Sequence, residues 1–203
     1  MSPAYLDPRT GQTFPLDQPR WCGPNHAPLL LTPLAGLTRD QIDPATRSLW
    51  RYRAAFPFVP DDPITMGEGC TPLVRRSLHG ASALLKCEWF APTGSFKDRG
   101  ASVMLSLLRA QGVHDVLEDS SGNGGAAISA YAAAGGLHAT IMAPDSTSPA
   151  KTVQMRAHGA TVETDPRLAP GHRRCRRRAL RDGILCQPQL APVLPARHQD
   201  AGL

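Results

Sequence analysis

The sequence predicts an α/β fold, an open parallel sheet with flanking helices. Three observations carry that prediction. Between residues 83 and 164, short apolar runs alternate with helical patterns. The connections between them are short and marked by glycine. Two glycine-rich stretches, PTGS and SSGNGG, each follow a predicted strand and precede a predicted helix. In sheets of this kind ligands sit at the carboxyl ends of the strands, so both loops are expected on one edge.

Taken in order, ALLKCE (residues 83–88) is the first predicted strand. A helix from Phe96 to Ala110 follows, with Ala101, Met104, Leu105 and Leu108 at spacings of three and four. Gly112 ends it. DVLED, Asp115 to Asp119, is the second strand. A small-residue helix runs from Gly124 to Ala134 and stops at Gly135 and Gly136. HATIMA, His138 to Ala143, is the third strand. Ser148 to His158 reads as a third helix with Pro149 in its first turn, closed by Gly159. ATVET, Ala160 to Thr164, is the fourth strand. Upstream, residues 1–60 are rich in proline and turn residues and predict an irregular N-terminal arm. Its one short helix is expected to open at Asp43, as cap, with Pro44 and run through Arg51. The expected division is an arm (1–60), a body (61–165) and a tail (166–203).

A chain of 203 residues is long enough to bury a sizeable core. No apolar run approaches the roughly 20 residues that span a bilayer, and no basic-then-apolar secretory signal opens the chain. The expected compartment is the cytoplasm, with no membrane partner. Five cysteines, none in a CxxC pair, are expected as reduced thiols with no metal site. The formal charge of +5 belongs to the tail. Residues 166–203 hold eight arginines and two aspartates, and residues 1–165 hold 14 basic against 15 acidic residues. Nucleic-acid binding by the tail is not expected, because no aromatic residue is interleaved with its arginines.

Only three basic residues are lysines: Lys86, Lys97 and Lys151. Lys97 stands where PTGS becomes a helix. The positive end of the helix dipole and partial burial both favour its neutral amine. A neutral amine is the nucleophile that makes a Schiff base with an aldehyde. The plainer alternative is a solvated lysine paired with Asp98. SSGNGG offers backbone N–H groups, two hydroxyls and an amide at a helix start, a cradle for a carboxylate or phosphate. The plainer alternative there is a glycine turn with Ser120 or Ser121 as helix cap.

Four stretches occur in one order: GEGCTPL (67–73), KCEWFAPTGSFKDRGA (86–101), SSGNGGAAISAYAAAGG (120–136) and KTVQMRAHGATV (151–162). This set resembles the fold-type II pyridoxal-phosphate enzymes, whose fold is that of the tryptophan synthase β subunit, and most closely the threonine synthases. The resemblance covers roughly residues 60 to 165. It implies pyridoxal 5'-phosphate as cofactor and a small amino-acid substrate. It implies that Lys97 forms the Schiff base and later moves protons. Asn123 matches the asparagine that hydrogen-bonds the cofactor's ring hydroxyl. Ser120, Ser121 and Gly122 match the loop that receives the substrate carboxylate. The implied reaction converts O-phosphohomoserine and water to threonine and phosphate. A dehydratase acting on threonine or serine, and a non-catalytic fragment, are the alternatives. Intact relatives are often homo-oligomers.

The sequence also departs from the pattern. Relatives often carry paired cysteines near the start, but only Cys22 stands in that frame here. Asp119 and Gly124 replace more usual small or alanine-like residues. The family's phosphate-binding loop and the group facing the pyridine nitrogen have no counterpart in this sequence. The fold is thus expected to be incomplete, with weak cofactor binding and little turnover. The change after ATVETD reads as a frameshift. With suitable synonymous codons, residues 184–203 read one nucleotide later give FYASHNWHPFFLPGTKTLA, which resembles a family stretch. The tail is therefore expected to be disordered or loosely docked.

Overall fold

Alternating buried strands and small-residue helices build the centre of the molecule. The computed structural model describes residues 2–24 and 27–165. In the arm, β1 (Ala4–Leu6), β2 (Thr13–Pro15) and β3 (Leu30–Leu31) form an antiparallel sheet in the order β2-β1-β3. Next come β4 (Leu73–Leu78), β5 (Ala81–Lys86) and α1 (Lys97–Ala110). Then β6 (Asp115–Asp119), α2 (Asn123–Gly135), β7 (His138–Pro144), α3 (Pro149–Ala157) and β8 (Thr161–Asp165) follow. Strands β6, β7 and β8 pair in parallel in that order, with Val116 opposite Ala139 and Ile141 opposite Val162. Sheet and helices together make the expected α/β architecture.

Strands β6 and β7 are mostly buried on both faces, whereas β8 at the end of the sheet is partly exposed. Leu105 of α1, Tyr131 of α2, Ile141 of β7 and Met155 of α3 are all fully buried in one cluster. Helix α2 is mostly alanine and glycine for a steric reason. A Cβ on Gly125 would lie 2.7 Å from Met155 Cε and 3.0 Å from Ile141 Cγ2. The helix is clamped between strand and neighbour, and Gly136 ends it in the left-handed conformation.

Three expectations need correction. The strand predicted at 83–88 is β5, and it pairs antiparallel with β4 instead of joining the parallel sheet. The cause is a two-residue turn: His79 and Gly80 both have positive φ, +49° and +83°, which matches a tight hairpin. The helix expected from Asp43 is displaced. Asp43 instead closes a local turn, accepting from the Ala45 N–H at 2.9 Å and the Thr46 hydroxyl at 2.6 Å. A 3-10 helix, Leu49–Ala55, follows, and its N-cap is Ser48. The rest of the arm, expected to be irregular, holds the β1–β3 sheet, in which Tyr5 pairs with Phe14 on one side and Leu31 on the other.

The arm docks on α1. Trp50 Nε1 donates to Ser102 Oγ at 2.9 Å, and that hydroxyl donates to the Ile64 carbonyl at 2.7 Å. Gln111 Nε2 donates to the Leu16 carbonyl at 2.6 Å. Between arm and body, Gly69 has φ +109°, and a Cβ there would meet Leu49 N at 2.7 Å. Its neighbour Glu68 is fully buried and accepts from the Tyr131 hydroxyl at 2.8 Å. The GEG stretch therefore ties arm to α2. Expectations for residues 166–203 lie outside the described residues.

Candidate functional site

Lys97 is the first residue of α1, and its N–H donates to Ser95 Oγ at 3.1 Å. Its side chain is half-buried, with the ammonium 5.1 Å from the centroid of the Phe96 ring. The loop before it leaves a 3-10 turn, Glu88–Phe90, and not a strand of the parallel sheet as expected. That turn is fixed to α1 by Arg99, which reaches both Glu88 oxygens at 2.8 and 2.9 Å. The Thr71 hydroxyl adds a third bond to Glu88 at 2.6 Å. Arg99 holds the Glu88 carboxyl below the usual carboxylate range. Beside this anchor Trp89, Phe90 and Phe96 are 63%, 65% and 57% exposed, an apolar rim around Lys97.

Asp98 does not act as a counterion for Lys97. It is fully buried, and its carboxyl accepts from the Thr93 N–H at 2.7 Å and from the Thr93 hydroxyl. Burial raises its proton affinity above the ordinary aspartate value, against the pull of those hydrogen bonds. Gln154 of α3 donates to the Thr93 carbonyl at 3.2 Å. Thr93 is thus held at its N–H, its hydroxyl and its carbonyl.

The SSGNGG loop leaves the carboxyl end of β6, as expected. The N-cap of α2 is Gly122, and Ser120, two residues before it, braces the helix start: its Oγ accepts from the Gly122 N–H at 3.4 Å and the Gly125 N–H at 2.8 Å. Its own N–H donates to the Met142 carbonyl at 3.1 Å. Ser120 is therefore largely committed to structure, although neither it nor Ser121 is the cap residue expected; Gly122 is. Ser121 and Asn123 are exposed, and Gly122 is half-buried. Asn123 opens α2, where the first N–H groups have no partner within the helix.

Helix α3 brings the two loops together. A Cβ on Gly122 would lie 3.2 Å from Lys151 Nζ, so the ammonium packs against the bare glycine backbone. Gln154, one turn on, holds Thr93 of the other loop. Beneath the second loop lies Glu118, fully buried, with neither oxygen hydrogen-bonded among the described residues. Burial pushes its proton affinity well above the ordinary glutamate value; Asp119 adds to this and Lys97 opposes it.

Sequence reasoning missed Glu118, Lys151 and Gln154. A glutamate after Val116 and Leu117, in a strand buried on both faces, was the available signal for the first. Lys151, one of three lysines, was the signal for the second. Nothing local marks Gln154. Among the described residues no cluster of His, Cys, Asp and Glu could hold a metal, and no helix is long and apolar enough to cross a membrane.

A family model described as pyridoxal-phosphate dependent enzyme matches residues 64–195. Threonine synthase of Mycobacterium leprae is 38% identical over 118 residues, 55% of this chain and 32% of that protein. A probable cysteine synthase of Bacillus subtilis is 36% identical over 116 residues, 52% of this chain and 35% of that protein. The chain spans about a third of the length of these curated relatives. Among solved structures, maize serine racemase superposes with a TM-score of 0.53 at 28% identity, over 58% of this chain and 38% of that one.

Proposed function

Because this chain belongs to the pyridoxal-phosphate dependent enzyme family, we propose that it carries the cofactor-lysine portion of a threonine-synthase-like site. The cofactor of the family is pyridoxal 5'-phosphate. One observation carries the reading. Lys97 opens α1, SSGNGG opens α2, and α3 touches both loops through Gln154 and Lys151. The residues suit a planar, anionic aldehyde. Gly94 and Ser95 leave room beside the amine, and the bare Gly122 admits an anionic group close to the Lys151 ammonium.

When bound, pyridoxal phosphate supplies an electron sink for carbanion chemistry. Lys97 Nζ would hold the cofactor through its aldehyde, and as a free amine would take and return a proton. The exposed Asn123 side chain would hydrogen-bond the ring hydroxyl. Ser121, Gly122 and the remaining Ser120 O–H orient the substrate carboxylate at the positive end of α2. Trp89, Phe90 and Phe96 shed water from the rim when covered. Residues 61–165 carry the site in this reading, and residues 1–60 brace α1.

The proposed reaction is conversion of O-phosphohomoserine and water to threonine and phosphate. The similarity to threonine synthases supports it. A probable cysteine synthase is similar at comparable identity, so identity alone does not choose the reaction, and elimination from threonine or serine is the rival reading at the same residues.

Borohydride reduction of the chain incubated with pyridoxal phosphate tests the reading, followed by peptide mapping. The pyridoxyl group is expected on Lys97. Labelling of Lys86 or Lys151 in its place would overturn the site. Assay of a protein carrying the remaining family regions, with O-phosphohomoserine against threonine and serine, separates the two reactions.

A further inference from the structure

The β4–β5 hairpin is built like the inside of a sheet, yet it is a sheet of two strands alone among the described residues. At its base the Cys87 N–H donates to the Pro72 carbonyl at 2.9 Å. No backbone hydrogen bond joins residues 73–86 to any other segment among the described residues. Successive side chains of a strand point to opposite faces. Leu73 and Leu84 therefore share one face, Leu78 and Leu85 share the other, and all four are exposed. A sheet with one solvated face keeps its apolar residues on the other face; this hairpin carries leucine on both. Two strands alone are marginally stable and are held by further strands or a packed layer.

The charge of the hairpin is one-sided. Residues 73–86 hold Arg75, Arg76 and Lys86 and no acidic residue. The two arginines are adjacent in β4, one on each face, between Leu73 and Leu78. Arg75 donates to Ser82 Oγ at 2.9 Å, and Arg76 donates to the Arg75 carbonyl at 2.9 Å. Neither forms an ion pair among the described residues.

We propose that the free edge of β4 is the docking surface for an acid-bearing β-strand of a second polypeptide. The strand adds antiparallel to the edge. It sets apolar side chains beside Leu73 and Leu78 and two carboxylates beside Arg75 and Arg76. Charge decides against the two nearer occupants. A second copy pairing through the same edge sets guanidinium groups opposite guanidinium groups, and like charges directly opposite are destabilising. This chain's own residues 166–203 hold eight arginines against two aspartates. The role is independent of the reaction at Lys97.

Two short peptides test it, acetyl-VTEEVI-amide and acetyl-VTKKVI-amide. Laid antiparallel along β4, each puts its central charged pair opposite Arg75 and Arg76. Backbone hydrogen exchange of the full chain is measured while each peptide is titrated in. The acidic peptide is expected to slow the outward-facing amides of residues 73–78, about tenfold at ten times its Kd. Strands β6–β8 should not change. The basic peptide is expected to bind about tenfold more weakly, from two reversed charge pairs. A chain carrying Arg75→Glu and Arg76→Glu should reverse that order; both side chains are exposed. If this variant loses the hairpin, the native chain with the two peptides decides alone. Equal protection by both peptides means that the arginines select nothing, and it overturns the proposal. Protection by neither means that the arginines only keep the edge solvated, and it overturns the proposal too. Sedimentation and exchange of the chain alone supply the last check. A dimer that protects residues 73–78 gives the edge to a second copy. Protection there in the monomer gives it to the chain's own remaining residues. Either result overturns the second polypeptide.

Discussion

Asp98 and Glu118 are both fully buried acids, one beneath each glycine loop, and they are treated in opposite ways. Asp98 accepts the Thr93 N–H and hydroxyl. Glu118 accepts nothing among the described residues. Burial raises the proton affinity of both. The difference lies in what holds each loop. PTGS is held from outside, by Asp98 on one side and Gln154 on the other. SSGNGG is held from within, by Ser120 Oγ on its own backbone. An acid that ties down a loop is not free to respond to charge. An acid that ties down nothing can do so.

The largest effect is expected where the acid carries the loop. Asp98→Ala removes two hydrogen bonds to one residue and leaves the Thr93 donors unpaired. The expected cost is about 3 kcal/mol, read as a lower urea midpoint with unchanged slope. Borohydride labelling of Lys97 should fall with it. If Asp98→Ala costs no more than an average surface change, the contrast between the loops is broken.

Glu118→Gln sharpens the other half of the comparison through pH. The folded-state proton affinity of Glu118 lies above that of the unfolded chain, so its contribution is fully present below the unfolded value near 4.5. It is lost as pH rises toward the folded value. The variant carries no such loss. Relative to the native chain it should gain about 1.4 kcal/mol per pH unit over that window. Urea melts of both chains at pH 4.5, 6 and 7.5 measure this. A difference that stays flat with pH would mean that Glu118 is not raised by burial.

Most of the parallel core could be read from the sequence because its signals are local. DVLED and β6 coincide, and Pro149 and Gly159 bracket α3 within a residue or two. The hairpin left one local mark, the His79–Gly80 pair between the two strands, but ALLKCE was assigned to the sheet by its apolar character alone. The site divided in the same way. Lys97 and SSGNGG are local patterns. Asp98 looked like a partner for Lys97 because they are neighbours in sequence. On a helix, adjacent side chains diverge by about 100°, and Asp98 turned to Thr93. Glu118 and Gln154 act through residues distant in the chain, and no local pattern reports that.

Ser120→Ala tests whether SSGNGG holds itself. Losing the bonds that Ser120 Oγ accepts from the helix start costs about 1 kcal/mol, and the loss should be confined to α2. Faster hydrogen exchange is expected at Gly122 and Gly125, whose N–H groups Ser120 receives, with the PTGS loop unchanged. Equal loosening of both loops would show that they are one unit.

The smallest effect is expected at Gln154, where α3 reaches the PTGS loop. Its Nε2 donates to the Thr93 carbonyl at 3.2 Å, a long and partly buried bond. A neutral bond of that kind contributes about 0.5 kcal/mol, so Gln154→Ala should barely move the urea midpoint. Its consequence is local. Asp98 still holds the Thr93 N–H and hydroxyl, but the carbonyl side of the loop loses its tie to α3. Lys151, three residues earlier on the same helix, still packs on Gly122. Hydrogen exchange should therefore quicken at residues 93–97 and stay unchanged at residues 120–125. Borohydride labelling at Lys97 should slow by a factor of about two, the kinetic equivalent of 0.5 kcal/mol. Unchanged exchange at residues 93–97 would mean that Asp98 alone fixes the loop. In that case α3 would touch the site only through Lys151.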